Sequence, residues 1–174
     1  MSWRRVASRL VGLALLLGFL VWAYPYLRNL GRVVGLLREG APGVLPVPVE
    51  GVDGARLADT WGAQRSEGRR HEGIDIFAPR GTPVRAATRG VVVRKSWNRL
   101  GGKTVTVFGP AGWFHYYAHL DDWDAPGMGD WVEAGTVLGY VGDTGNAKGT
   151  PPHLHYGIYA AGGARNPYPL LAPP

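Results

Sequence analysis

Thr104-Val105-Thr106-Val107-Phe108, TVTVF in one-letter code, is a run of β-branched residues ended by an aromatic ring. Such side chains are stiff at χ1 and pack well on a pleated surface, so the run reads as a strand. Working outward, Val91-Val92-Val93 and Thr136-Val137-Leu138-Gly139-Tyr140-Val141 are of the same kind, and glycine-rich turns lie between them. Short strands punctuated in this way are expected of an antiparallel sheet or sandwich. About 115 residues follow from Thr60, enough for one domain with a single hydrophobic core. Beyond its N-terminal segment the chain is therefore expected to be mainly β, with no internal repeat and no low-complexity tract.

Four of the five histidines fall in three short segments around these strands: His71 in RRHEGID, His119 in YYAHL, and His153 and His155 in PPHLHYGIY. In His153-Leu154-His155 the spacing of two reads as a strand, which puts both imidazoles on one face about 6.7 Å apart. One can bind a metal while its neighbour serves a substrate. His71 and Asp75 lie four apart around Gly73, Ile74 and Ile76, which favour extended structure spanning about 13 Å. Two ligands of one ion cannot sit so far apart, so the chain is expected to bend at Gly73. Residues 113–120 are aromatic and strand-like, and Trp113, His115, Tyr117 and His119 are expected to share a face. Spacing alone does not separate His115 from His119.

Read in order, these segments are His71-Glu72-Gly73-Ile74-Asp75, Gly81-Thr82-Pro83-Val84-Arg85-Ala86, Gly90-Val91-Val92, Tyr117-Ala118-His119-Leu120, Gly139-Tyr140-Val141-Gly142-Asp143-Thr144-Gly145 and His153-Leu154-His155. Over roughly residues 60 to 160 this series resembles the lysostaphin-type, or LytM-like, zinc endopeptidases of bacterial cell walls. The resemblance implies a lysostaphin-like peptidase fold, the duplicated hybrid motif, and one Zn2+ per domain held by His71, Asp75 and His155. It also implies that His119 and His153 are the catalytic histidines and that peptidoglycan stem or cross-bridge peptides are the substrate. Two neutral imidazoles and a carboxylate would leave such a site at net +1 with a coordination position open. One departure is the stretch 146–152, which is slightly longer than the family's short loop and bears on the shape of the groove. A non-catalytic regulator of another wall hydrolase is the alternative of the same fold. Such relatives typically lack the metal ligands, whereas all five residues are present here. A wall-binding module has no use for them.

A lone histidine on an aromatic strand is more often a packing or hydrogen-bonding residue, and His115 is read that way. Arg69 and Arg70 stand beside His71, where a guanidinium fork suits a substrate carboxylate. Arg70 and Tyr117 are the candidate substrate contacts. The loops 98–103 and 146–152 are the expected groove walls.

From Leu10 to Leu27 the chain runs eighteen residues without a charge, preceded by Arg4, Arg5 and Arg9. The segment is expected to meet a membrane as an uncleaved transmembrane anchor, with Trp22, Tyr24 and Tyr26 suited to an interfacial belt; Val21-Trp22-Ala23 allows signal cleavage instead, and then secretion. Leu27, Leu30, Val34 and Leu37 recur at helical spacing, which suggests an amphipathic continuation, and Pro25 is placed to kink the junction. Ala41 to Val49 (APGVLPVPV) carries three prolines and is expected to be an extended tether between separate units. The expected plan is a basic tail over 1–9, the membrane segment over 10–27, helix and linker over 28–49, and a peptidase domain over 50–174. Three arginines on each side of the apolar run leave orientation to the substrate, which places the catalytic domain outside the cell membrane.

The formal charge of +6 does not point to nucleic acid. Residues 1–38 hold six arginines and no acid, and from residue 60 onward twelve bases face nine acids. No basic stripe dominates the domain, and attraction to anionic wall or lipid headgroups accounts for the excess. The absence of cysteine is compatible with an oxidising envelope and with many other settings.

Overall fold

The computed structural model describes residues 3–65 and 68–172. A long helix, α1 (Trp3–Arg38), precedes nine strands: β1 (Ile74–Phe77), β2 (Pro83–Arg85), β3 (Gly90–Asn98), β4 (Gly102–Phe108), β5 (Phe114–Trp123), β6 (Trp131–Val132), β7 (Val137–Val141), β8 (His153–Ala160) and β9 (Gly163–Arg165). A single-turn helix, α2 (Tyr168–Leu171), follows them. The strands form one sheet in the order β1-β8-β5-β4-β3-β6, with β7 joining β5 to β2 and β9 joining β8. Every pairing is antiparallel.

TVTVF lies in β4, at the centre of the sheet. Val105 and Val107 are buried in the core, whereas Thr106 is half-buried on the opposite face. The same core takes Ile74 and Ile76 from β1, Leu138 and Val141 from β7, and Leu154, Tyr156 and Ile158 from β8. Each such side chain removed from water stabilises the fold by about 1.5–3 kcal/mol.

Two segments depart from the sequence expectations. APGVLPVPV is extended, as three prolines require, but it is no free tether. Leu45 and Val49 are 4% and 2% exposed within the core, Leu45 N–H donates to the Leu170 carbonyl at 2.8 Å, and Arg85 N–H donates to the Pro48 carbonyl at 2.9 Å. The open side of β2 supplies partners for the backbone groups that an extended chain leaves unpaired, so the strap binds there.

In α1 the docking face also differs from the expected Leu27-Leu30-Val34-Leu37 stripe, of which Leu27, Leu30 and Leu37 stay exposed. Asn29, Arg32 and Leu36 face the domain instead. Asn29 Nδ2–H donates to the Gly129 carbonyl at 3.2 Å, the Arg32 guanidinium lies 4.8 Å from the Trp131 ring, and Leu36 is 1% exposed. A Glu39–Arg89 ion pair at 2.7 Å closes the contact. Among the described residues no single helix is long and apolar enough to cross a membrane. Gly12–Tyr24 and Leu27–Arg38 reach that length and apolarity only as a pair bent by 43°. The bend falls at residues 25–26, where Pro25 has no amide hydrogen to give the helix.

Candidate active site

Antiparallel pairing of β1 with β8 sets Asp75 directly opposite His155, and pairing of β5 with β8 sets Ala118 on the other side of His155. His71 precedes β1, and the chain bends at Gly73 as expected. The reason is space. A Cβ on Gly73 would lie 2.5 Å from the Tyr156 carbonyl oxygen and 2.7 Å from Cε1 of the His155 ring, so only glycine lets the bend close over that imidazole.

The bend brings three donors together. His71 Nε2 is 2.8 Å from His155 Nδ1 and 3.1 Å from Asp75 Oδ1, and His155 Nδ1 is 3.2 Å from the same carboxylate oxygen. Tetrahedral zinc with bonds of about 2.0–2.1 Å places its ligand atoms about 3.3 Å apart, so this set of two imidazole nitrogens and one carboxylate oxygen fits the ion. His71, Asp75 and His155 could thus hold a metal. Thr60 holds both ends of the segment: its carbonyl accepts the Nδ1–H of His71 at 2.7 Å, and its Oγ1 accepts the Asp75 N–H at 3.0 Å. The first bond fixes the tautomer that leaves Nε2 of His71 to a metal. Arg65 pairs with Oδ2 of Asp75, leaving Oδ1 toward the two histidines.

His119 reaches this site through an irregularity in β5. Tyr117 lies opposite Val105 and Leu120 opposite Lys103, so three steps along β5 match two along β4. The extra residue is a bulge, and His119 within it has φ of +63°, a left-handed conformation uncommon outside glycine. Ala118 and His119 consequently both line the groove, while Leu120 returns to the core. His119 therefore does not share the face of His115 and Tyr117, as regular alternation had suggested. Its Nδ1–H donates to the Thr144 carbonyl at 2.8 Å, and that of His153 donates to the Pro151 carbonyl at 2.9 Å. The two rings are 5.0 Å apart, and His153 Nε2 is 4.0 Å from Asp75 Oδ1.

Burial sets the electrostatics. It works to raise the Asp75 carboxyl, but hydrogen bonds with His155 and His71 outweigh it and hold the group well below the usual carboxylate range. Burial lowers His155, and it lowers His119 to about 4 against the opposing hydrogen bond to Thr144. His119 is therefore neutral at pH 7, with Nε2 able to accept a proton.

All five predicted metal and catalytic residues meet in one groove of about 820 Å³, which Arg70 and the two expected wall loops also line. Tyr117 does not line it. That ring is fully buried beneath the sheet, where its oxygen accepts the Ala87 N–H at 2.9 Å, and the groove-facing tyrosines are Tyr116 and Tyr159. Tyr117 is therefore out of reach of anything in the groove, and its neighbour Tyr116 stands on the groove side, because side chains alternate across a strand. His115 is a core residue, with Nδ1 2.7 Å from the Tyr156 hydroxyl. Sequence reasoning missed Thr60, Arg65 and Tyr159. Of these only Tyr159 carried a signal, the period of two from His153 and His155.

The model of peptidase family M23 matches residues 69–167. The L-Ala–D-Glu endopeptidase of Bacillus subtilis (strain 168) is 45% identical over 125 residues, covering 64% of this chain and 38% of the relative. Lysostaphin of Staphylococcus simulans is 34% identical over 110 residues, covering 60% of this chain and 22% of the relative. The chain thus spans less than two fifths of the length of these curated relatives. Among solved structures, the catalytic domain of the antimicrobial peptidase lysostaphin from the same species matches with a TM-score of 0.59 at 30% identity, covering 66% of this chain and 90% of that one. The antiparallel sheet described above is therefore a lysostaphin-like fold.

Proposed function

Because the chain belongs to peptidase family M23, and its groove gathers three metal-binding side chains with two further histidines, we propose that it is a zinc-dependent endopeptidase cutting peptide bonds of peptidoglycan. The observation that carries this reading is the convergence of His71 Nε2, Asp75 Oδ1 and His155 Nδ1 within 4.8 Å, beside His119 and His153. When bound there, zinc supplies a Lewis acid and a water whose pKa falls toward about 7.

The protein's own groups do the rest. Thr60 orients His71, and Arg65 holds the second oxygen of Asp75. His119 and His153 each anchor Nδ1–H on a backbone carbonyl, which presents Nε2 on the groove side. One accepts a proton from the attacking water and the other steadies the oxyanion or hands a proton to the leaving amine. Arg70 on the groove wall suits a carboxylate of the substrate. The relatives' names support the substrate class, since one is an L-Ala–D-Glu endopeptidase and another is lysostaphin. We extend the proposal to location: residues 10–27 anchor the chain in the cell membrane with the peptidase domain outside, supported by their uncharged run and by exposed Leu13, Leu16, Phe19 and Trp22.

The test is release of new amino groups from purified peptidoglycan by the full chain in detergent, with chelator and with zinc restored. Chelator-sensitive release that zinc restores is the expected result, and mass spectrometry of the fragments names the bond. No release from zinc-loaded, folded protein would favour the regulator of another hydrolase.

A further inference from the structure

Asn98, Tyr116 and Tyr159 line the catalytic groove and also a second cavity of about 450 Å³. Strand register explains the continuity. Ala118 and His155 are paired across the groove floor; two residues along, Gly157, Tyr116, Thr106 and Arg94 form a row across β8, β5, β4 and β3. Two residues further, Phe114 pairs with Tyr159. Same-face rows repeat about every 7 Å, so one surface runs from the metal ligands past Tyr116 and Thr106 to Phe114 and Tyr159. At position 157 the row has no side chain, and a Cβ there would come within 3.1 Å of the Tyr159 ring.

The chemistry of this surface limits what it can hold. β4, β5 and β8, which carry Thr106, Phe114, Tyr116 and Tyr159, each have a neighbour on both sides, so their ladders leave no edge on this part of the face to which an extended peptide could add as a strand. Recognition falls to side chains: the rings of Phe114, Tyr116 and Tyr159, the Thr106 hydroxyl, the Asn98 carboxamide and the Arg94 guanidinium. Ring faces interspersed with hydroxyl, amide and guanidinium groups suit a ligand that is itself a ring with an apolar C–H face and a polar rim, as a pyranose is.

We propose that this surface is a saccharide subsite, holding the amino-sugar ring from which the stem peptide hangs. The inference rests on the hydrolase reading for its substrate. It also narrows that reading. The two rows lie about 7 and 14 Å from the ligand row, and an extended peptide spans about 3.5 Å per residue, so the cut bond falls about two to four residues from the sugar.

The experiment is calorimetric titration of the full chain in detergent, with chelator present so that nothing is cut, against N-acetylmuramoyl tetrapeptide and against the same peptide without the sugar. We expect the sugar-bearing ligand to bind at least tenfold tighter. In Phe114→Ala and in Thr106→Ala that gap should shrink at least threefold, with thermal melts confirming that each variant is folded. Equal binding of the two ligands by the wild type overturns the subsite, as does a gap that survives both substitutions. Cleavage of the N-acetylmuramoyl tetrapeptide by zinc-loaded wild type is scored separately. Its absence alongside an intact sugar gap would sink the hydrolase and leave the subsite standing.

Discussion

A methyl group on Gly73 would stand 2.5 Å from the Tyr156 carbonyl and 2.7 Å from the His155 ring, and neither can retreat without disturbing β8. Gly73→Ala is therefore expected to cost about 1–3 kcal/mol in urea unfolding and to weaken zinc retention in dialysis against chelator. At the ligands themselves, His71→Ala should lose the metal by elemental analysis, whereas His119→Ala should keep most of it and lose turnover; retained turnover would remove His119 from the chemistry. His115 carries a different prediction. Burial lowers its pKa from 6.5 to about 4, so between those values the unfolded chain holds a proton that the folded chain does not. Stability must then fall as pH falls from about 6.5 to about 4, by up to about 3 kcal/mol from this residue. Urea midpoints at pH 7 and pH 5 should therefore differ less in His115→Phe than in the wild type.

At the scale of elements, β5 is the one that regular alternation misreads. From the period of two, His119 belongs with His115 and Tyr117 in the core, and the bulge at 118–119 instead turns it into the groove. The left-handed residue at its centre is an L-histidine, at a cost of about 1–3 kcal/mol. Replacing it with glycine relieves that strain and replacing it with alanine does not. His119→Gly should thus be more stable than His119→Ala by about 1 kcal/mol in chemical denaturation. β8 is the contrasting case: regular over its length, it places His153 and His155 on one face just as their spacing indicates. Nothing in Tyr117-Ala118-His119-Leu120 taken locally announces a bulge, which arises from pairing β5 simultaneously with β4, β7 and β8.

For the whole molecule, the strap over 41–49 and the last turns of α1 belong to the same packed body as the sheet. Removing residues 1–49 would take Leu45 and Val49 out of the core, whereas removing 1–40 would leave them in place. The shorter fragment is expected to be several kcal/mol less stable than the longer one, read as the difference in urea midpoint between the two. An equal midpoint would restore the picture of a free tether. Docking of Asn29, Arg32 and Leu36 also means that a membrane-seated α1 would hold the groove at a set orientation to the bilayer.

Local chemistry was enough to determine the sheet class, the bend at Gly73 and the shared face of His153 and His155, because β-branched composition, a missing Cβ and the period of two each act over a few residues. Order and spacing of the segments were enough to carry the family resemblance. Only the tertiary structure decided that His119 faces the groove, that Tyr116 replaces Tyr117 there, that Thr60 and Arg65 hold His71 and Asp75, and that a proline-rich segment is core. Each of these depends on which strand or loop lies alongside, and contacts between residues far apart in sequence leave no period for a reader of the sequence to find.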